Sequence, residues 1–150
     1  MAIDLVFAGY VAAFALAAVA CFASLRRVER IDSADTRRGV VALLVTSGLW
    51  AASGVGFLVA PTAAWANAFH IAGLVAGFST PGAWLYFCSA YTGRTFHRDP
   101  RYRRAALVVF LAVVAVKVTN PLHGVYFTTA AASTPFPHVA VQSGTLHWVI

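Results

Sequence analysis

The side chains able to bind a ligand in this chain are few, and most gather at one end of the expected molecule. Asp4, His70, Lys117, Asn120 and His123 stand at or near the ends of apolar stretches that the threading argued below brings to one membrane face. A carboxylate, two imidazoles, an amine and a carboxamide gather there, and Lys117 among them suits an anionic ligand in an outward-facing cavity. Lys117, set in an apolar stretch, needs a partner such as Asp4 or access to water. Its simpler use is to snorkel, with the four-carbon stem in lipid and the ammonium at the surface. His70 reads otherwise as a hydrogen-bonded packing residue. His123, next to Asn120-Pro121, reads as a turn residue exposed enough to titrate near neutral pH.

Catalysis is not expected. The sequence has no glycine-rich phosphate loop, HExxH pair, GxSxG elbow or paired intramembrane carboxylates, and it implies no metal and no cofactor. All five acidic residues lie in loops or near the N-terminus, whereas ion-coupled transport generally places carboxylates inside the bilayer. A retinal on Lys117 would lack an intramembrane counter-ion. Cys21 and Cys88 have no ligand spacing and lie toward the reducing side, so they read as small buried hydrophobes.

The elements that must position these residues are apolar helices. The chain is 60% hydrophobic and 11% charged, where a soluble domain has roughly a quarter of its residues charged. The expected fold is all-α, an integral membrane bundle with four complete spans at about 5–25, 39–60, 64–91 and 105–119. A fifth span is expected to start at about 145, which makes the chain the N-terminal part, residues 1–150, of a longer transmembrane domain. Two short strands around Pro135 and Pro137, at 126–129 and 138–141, suggest an extracellular hairpin between the fourth and fifth spans.

Arginine sets the direction of threading. Arg26, Arg27, Arg30, Arg37 and Arg38 fill the 26–38 loop, and Arg94, Arg98, Arg101, Arg103 and Arg104 fill the 94–104 loop. By the positive-inside rule both loops are cytoplasmic, the N-terminus is outside and the protein is a multi-pass cell-membrane protein. The net charge of +6 is therefore an orientation signal, and no nucleic-acid partner is expected. Between lipid-bathed helices, association relies on small residues. Gly48, Ala52 and Gly56 at four-residue spacing, and Gly73 with Gly77, are the expected seams, while Pro81 predicts a tilt or kink in the third helix.

Two stretches carry a family resemblance. Gly82-Ala-Trp-Leu-Tyr-Phe-Cys-Ser-Ala-Tyr-Thr-Gly93 and Lys117-Val-Thr-Asn-Pro-Leu-His-Gly-Val-Tyr-Phe127 resemble the N-terminal seven-transmembrane sensory region of archaeal sensor histidine kinases, over roughly residues 43–150. The resemblance implies seven helices, a cytoplasmic histidine-phosphorylating kinase region in cis, a response regulator as partner and a homodimer. It maps no ligand-contacting residue onto these positions. An outside N-terminus agrees with it, because an odd number of crossings delivers the kinase to cytoplasmic ATP. The expected function is the sensory input portion of such a kinase, with the kinase region outside this chain. The rival is part of a small membrane transporter or a non-enzymatic assembly partner.

Overall fold

A computed structural model describes residues 2–133, 136 and 138–148, with side chains from residue 5 onward. Four long helices, α1 (Ala2–Ser24), α2 (Ala34–Leu58), α3 (Ala63–Tyr91) and α4 (Pro100–Val118), are followed by one short turn of helix, α5 (Asn120–His123), and a hairpin. The hairpin strands β1 (Phe127–Ala132) and β2 (His138–Ser143) run antiparallel, with Phe127 opposite Ser143 and Ala132 opposite His138.

The helices begin where polar side chains can satisfy free backbone N–H groups, which is not where hydropathy rises. Ser33 accepts from the Thr36 amide at 3.3 Å, so α2 starts at Ala34 and takes Arg37 and Arg38 into its first turns, ahead of the expected start near residue 39. Asp99 accepts from the Arg101 amide at 2.8 Å, and Pro100 supplies a preset φ. The α4 helix therefore starts at Pro100 instead of residue 105. Thr62 caps α3 by accepting from Trp65.

Among the described residues, three helical stretches are long and apolar enough to cross a membrane, at Leu5–Arg30, where a 3₁₀ turn over Leu25–Arg30 continues α1, and at Ala34–Leu58 and Ala63–Tyr91. The α4 helix is not among them. Arg101, Arg103, Arg104 and Lys117 leave its uncharged stretch at 105–116, which at 1.5 Å per residue reaches roughly 18 Å. Leu16, Leu85, Val108 and Leu111 are exposed on the outer surface of the bundle, where a bilayer would solvate them.

The α2 helix is the middle of the bundle, packed on α1 to one side and, most extensively, on α3 to the other. Small residues allow both approaches, in a way that differs from the expected seam. Each four-residue step rotates a helix position by about 40°, so Gly48 and Gly56 diverge by about 80°. Gly48 meets the Phe22 ring of α1, Gly56 meets the Phe69 ring of α3, and Ala52 between them is half-buried. The stripe is thus divided between two interfaces. Gly73 faces Ser53 and Gly77 faces Trp50, both on α2, as a packing seam requires. The α3 helix runs through Pro81 without interruption. Ser79 and Thr80 just before it donate to the Val75 and Ala76 carbonyls. The α4 helix leans on α3 through Phe78 and Phe110, stacked at 6.0 Å.

Candidate functional site

Two polar nodes lie at opposite ends of the bundle, the first built on the 117–127 stretch singled out in the sequence and the second taking only Tyr86 and Ser89 from the 82–93 stretch.

The first node mounts the hairpin on α4. The backbone turns sharply after α4 because Pro121 can begin a helical turn and Gly124, at φ 62°, can end it. Asn120, 2% exposed, then takes the place of a missing strand. Its Oδ1 accepts from the amides of Tyr126 at 2.8 Å and Phe127 at 3.2 Å, and its Nδ2 donates to the Phe127 carbonyl at 2.8 Å. Buried backbone groups at the start of β1 are satisfied by this one side chain. His123 accepts from the Val125 amide through Nδ1 at 3.1 Å, while its Nε2 meets the Thr119 hydroxyl at 3.2 Å. Gly144 closes the far strand. Its amide donates to Tyr126, and a Cβ there would overlap the Val125 carbonyl.

Lys117 does not snorkel. It is 3% exposed, donates to the Tyr126 hydroxyl, and places its ammonium 3.8 Å from the centre of the Tyr126 ring and 5.5 Å from that of Phe78. The Tyr126 contacts make the inward conformation favourable, since an aromatic face and a hydroxyl replace water around the cation. His70 sits behind this arrangement, its ring 4.7 Å from Phe127 and 5.6 Å from Phe57. The structure therefore groups Lys117, Asn120 and His123 around the hairpin mount, with His70 reached through Phe127. The side chain of Asp4 lies outside the described residues, as do Pro135 and Pro137.

The second node was not foreseen from the sequence. Asp35, in the first turn of α2, accepts from Arg98 Nη2 at 2.6 Å and Nε at 3.1 Å, from Arg38 at 3.2 Å, and from the Tyr86 hydroxyl of α3 at 3.4 Å. His97, with its side chain 5% exposed, links Asp35 to Ser89, with Nε2 at 3.2 Å from the carboxylate and Nδ1 at 3.0 Å from the hydroxyl. These groups tie the start of α2 to the end of α3 and to the α3–α4 connection. Asp35 raises the Arg98 pKa above its ordinary value, first by hydrogen bonding and then by its charge. A raised arginine contributes its stabilisation at every pH below its unfolded value and loses it only as pH climbs beyond. The pair is thus permanent on the Arg98 side at physiological pH.

Ser89, His97 and Asp35 follow the order of a hydrolytic triad, yet their setting is that of a clasp. Ser89 is buried inside α3, where neighbouring amides are committed to helix carbonyls, and its hydroxyl can donate to the Arg94 carbonyl at 3.2 Å. Without free N–H donors at the serine, an oxyanion would go unstabilised. The sequence held little sign of this node, since Asp35 and His97 are 62 residues apart.

Beside this node, a cleft of about 1540 Å³ opens between α3 and α4. Its apolar walls include Phe78, Leu85, Val109 and Phe110, and Arg94, Arg98 and Arg103 stand at its polar end. A smaller cavity of about 400 Å³ lies under the hairpin, against α1, α2 and α3.

A family model described as the N-terminal 7TM region of histidine kinase matches residues 5–150. No match is found among curated proteins or among solved structures. The match takes in both nodes and all four long helices, and with three spans of membrane-crossing length it makes the chain a multi-pass membrane protein. The chain belongs to the family of N-terminal seven-transmembrane regions of histidine kinases.

Proposed function

We propose that this chain is the sensory input portion of a sensor histidine kinase. It receives a stimulus at the hairpin end of the bundle and passes it to a kinase region of the same protein at the Asp35 end. The kinase in turn serves a response regulator. In this reading α4 crosses the bilayer as a fourth span, the N-terminus and hairpin face outward, and a fifth span begins near residue 145. Residues 26–38 and 94–104 are cytoplasmic, and the assembly is a dimer in the cell membrane. A short α4 crosses by burying Lys117 and by keeping Arg101, Arg103 and Arg104 at the inner surface.

The observation that carries the proposal is the pairing of the family match with a fixed polar node at each end of the α2–α3 pair. Signalling needs two bundle states a few kcal/mol apart, with the stimulus favouring one. Gly73 and Gly77 allow α2 and α3 to meet closely, and a helix contact of this kind can shift without breaking hydrogen bonds. Leucine at both positions forces α3 away from Ser53 and Trp50. A bias of about 1 kcal/mol changes the state ratio about five-fold, so autophosphorylation of the full-length Gly73→Leu/Gly77→Leu protein in membrane vesicles is expected to change by about that factor. Wild-type output with a wild-type stimulus response would count against the proposal.

A further inference from the structure

The cavity under the hairpin is walled by α1, α2, α3 and the hairpin itself. Tyr10 and Phe14 come from α1, Trp50 and Phe57 from α2, Phe69 from α3, and Phe136 from the segment between the strands. Phe136 is itself buried, edge-on to Phe7 at 5.2 Å and 6.1 Å from Tyr10, so it pins the hairpin over the mouth. Ser53, Gly54 and Gly73 keep the floor low. A Cβ at Gly54 would sit 2.8 Å from the Phe14 ring, and one at Gly73 would sit 3.4 Å from Ser53. The volume of about 400 Å³ falls in the range of small-molecule sites.

The lining also sets the chemistry. Among the described residues it contains no aspartate or glutamate to hold a cation and no lysine or arginine to hold an anion. Its polar groups are Ser53, the Tyr10 hydroxyl, the Trp50 indole N–H and two imidazoles. His138 donates Nδ1–H to the Phe136 carbonyl at 2.7 Å, which leaves Nε2 as an acceptor. His70 is held by ring contacts with Phe57 and Phe127 and makes no hydrogen bond to the described residues, so a ring nitrogen remains for a ligand.

We infer that this cavity binds a small uncharged aromatic molecule bearing one hydroxyl or N–H group, with its ring among the aromatic walls and its donor on His70. Edge-to-face packing holds the ring, and the imidazole distinguishes a hydrogen-bonding ligand from a bare hydrocarbon. That the ligand acts as a stimulus rests on the function proposed above. The binding itself does not.

The test uses the full-length protein in lipid nanodiscs, with 4-fluorophenol and fluorobenzene followed by fluorine NMR and empty nanodiscs correcting for partition into lipid. Saturable binding of 4-fluorophenol, about ten-fold tighter than fluorobenzene, is expected from one added buried hydrogen bond. Ser53→Phe fills the cavity and should abolish both. His70→Phe keeps the ring packing and should bring the two probes within about two-fold of each other. Should Ser53→Phe fail to insert in the membrane, His70→Phe still decides the question. Signals matching those of empty nanodiscs, or a ten-fold preference surviving in His70→Phe, would overturn the inference. Saturable binding that leaves kinase output unchanged would keep the site and remove its sensory role. An altered output in Gly77→Leu, a position outside the cavity lining, together with no probe binding to the unmutated protein would do the reverse.

Discussion

A single side chain, Asn120, decides whether the hairpin has a fixed place on the bundle. It makes three hydrogen bonds to backbone groups of Tyr126 and Phe127 while almost wholly buried, and alanine would leave at least one buried donor without a partner. The expected cost is about 2 kcal/mol, concentrated in the hairpin. Hydrogen exchange of the Tyr126 and Phe127 amides should quicken about 30-fold in Asn120→Ala while α2 amides keep their wild-type rates. Asn120 was legible in the sequence as a polar residue at a helix end, but its role was not. Whether a carboxamide faces a ligand or a strand depends on where residues six and seven positions later return, and that path is fixed by Gly124 and Gly144 together. Lys117 shows the same limit. Its charge and its helix were readable, but its inward turn depends on Tyr126, whose position follows from the hairpin mount.

At the scale of elements, spans followed from hydropathy and their ends from capping. The length of uncharged apolar runs located the first three helices, because lipid selects such runs irrespective of what packs on them. The starts of α2 and α4 escaped it because Ser33 and Asp99 allow a helix to begin inside polar sequence. Glycine spacing located the α3 face that packs on α2, but it could not assign Gly48 and Gly56 to separate neighbours, since that depends on which helices flank α2. Gly39, the first residue of the expected span but not part of the expected stripe, proves tighter than any glycine of that stripe where backbone is concerned. A Cβ there would lie 2.7 Å from the Phe87 Cα. Gly39→Ala must push α3 away at the Asp35 end, with an expected loss of about 1–3 kcal/mol. Thermal unfolding in detergent, compared with Gly82→Ala, where a Cβ meets nothing within 4 Å, isolates the effect of contact from that of helix propensity.

For the whole molecule, the proposed function rests on two ends that are chemically different and mechanically joined. One end holds a hairpin, a buried lysine and an aromatic cavity, and the other a carboxylate that gathers Arg38, Tyr86, His97 and Arg98. The α2 and α3 helices connect them through a close glycine-lined contact. Family membership explains why such a bundle exists, and the arginine distribution is the basis of the proposed direction of insertion. The residues of the Asp35 node could not be assembled from sequence, because an ion pair spanning 63 positions leaves no local pattern.

The central claim is that these ends face opposite sides of the membrane. Its direct test begins with the Cys21→Ala/Cys88→Ala protein carrying one added cysteine, Thr129→Cys in β1 or Arg101→Cys in the first turn of α4, both exposed positions. A membrane-impermeant maleimide applied to intact cells should label the Thr129→Cys protein at once and the Arg101→Cys protein only after permeabilisation. Immediate labelling at position 101 with protection at 129, or labelling of both, would contradict the account.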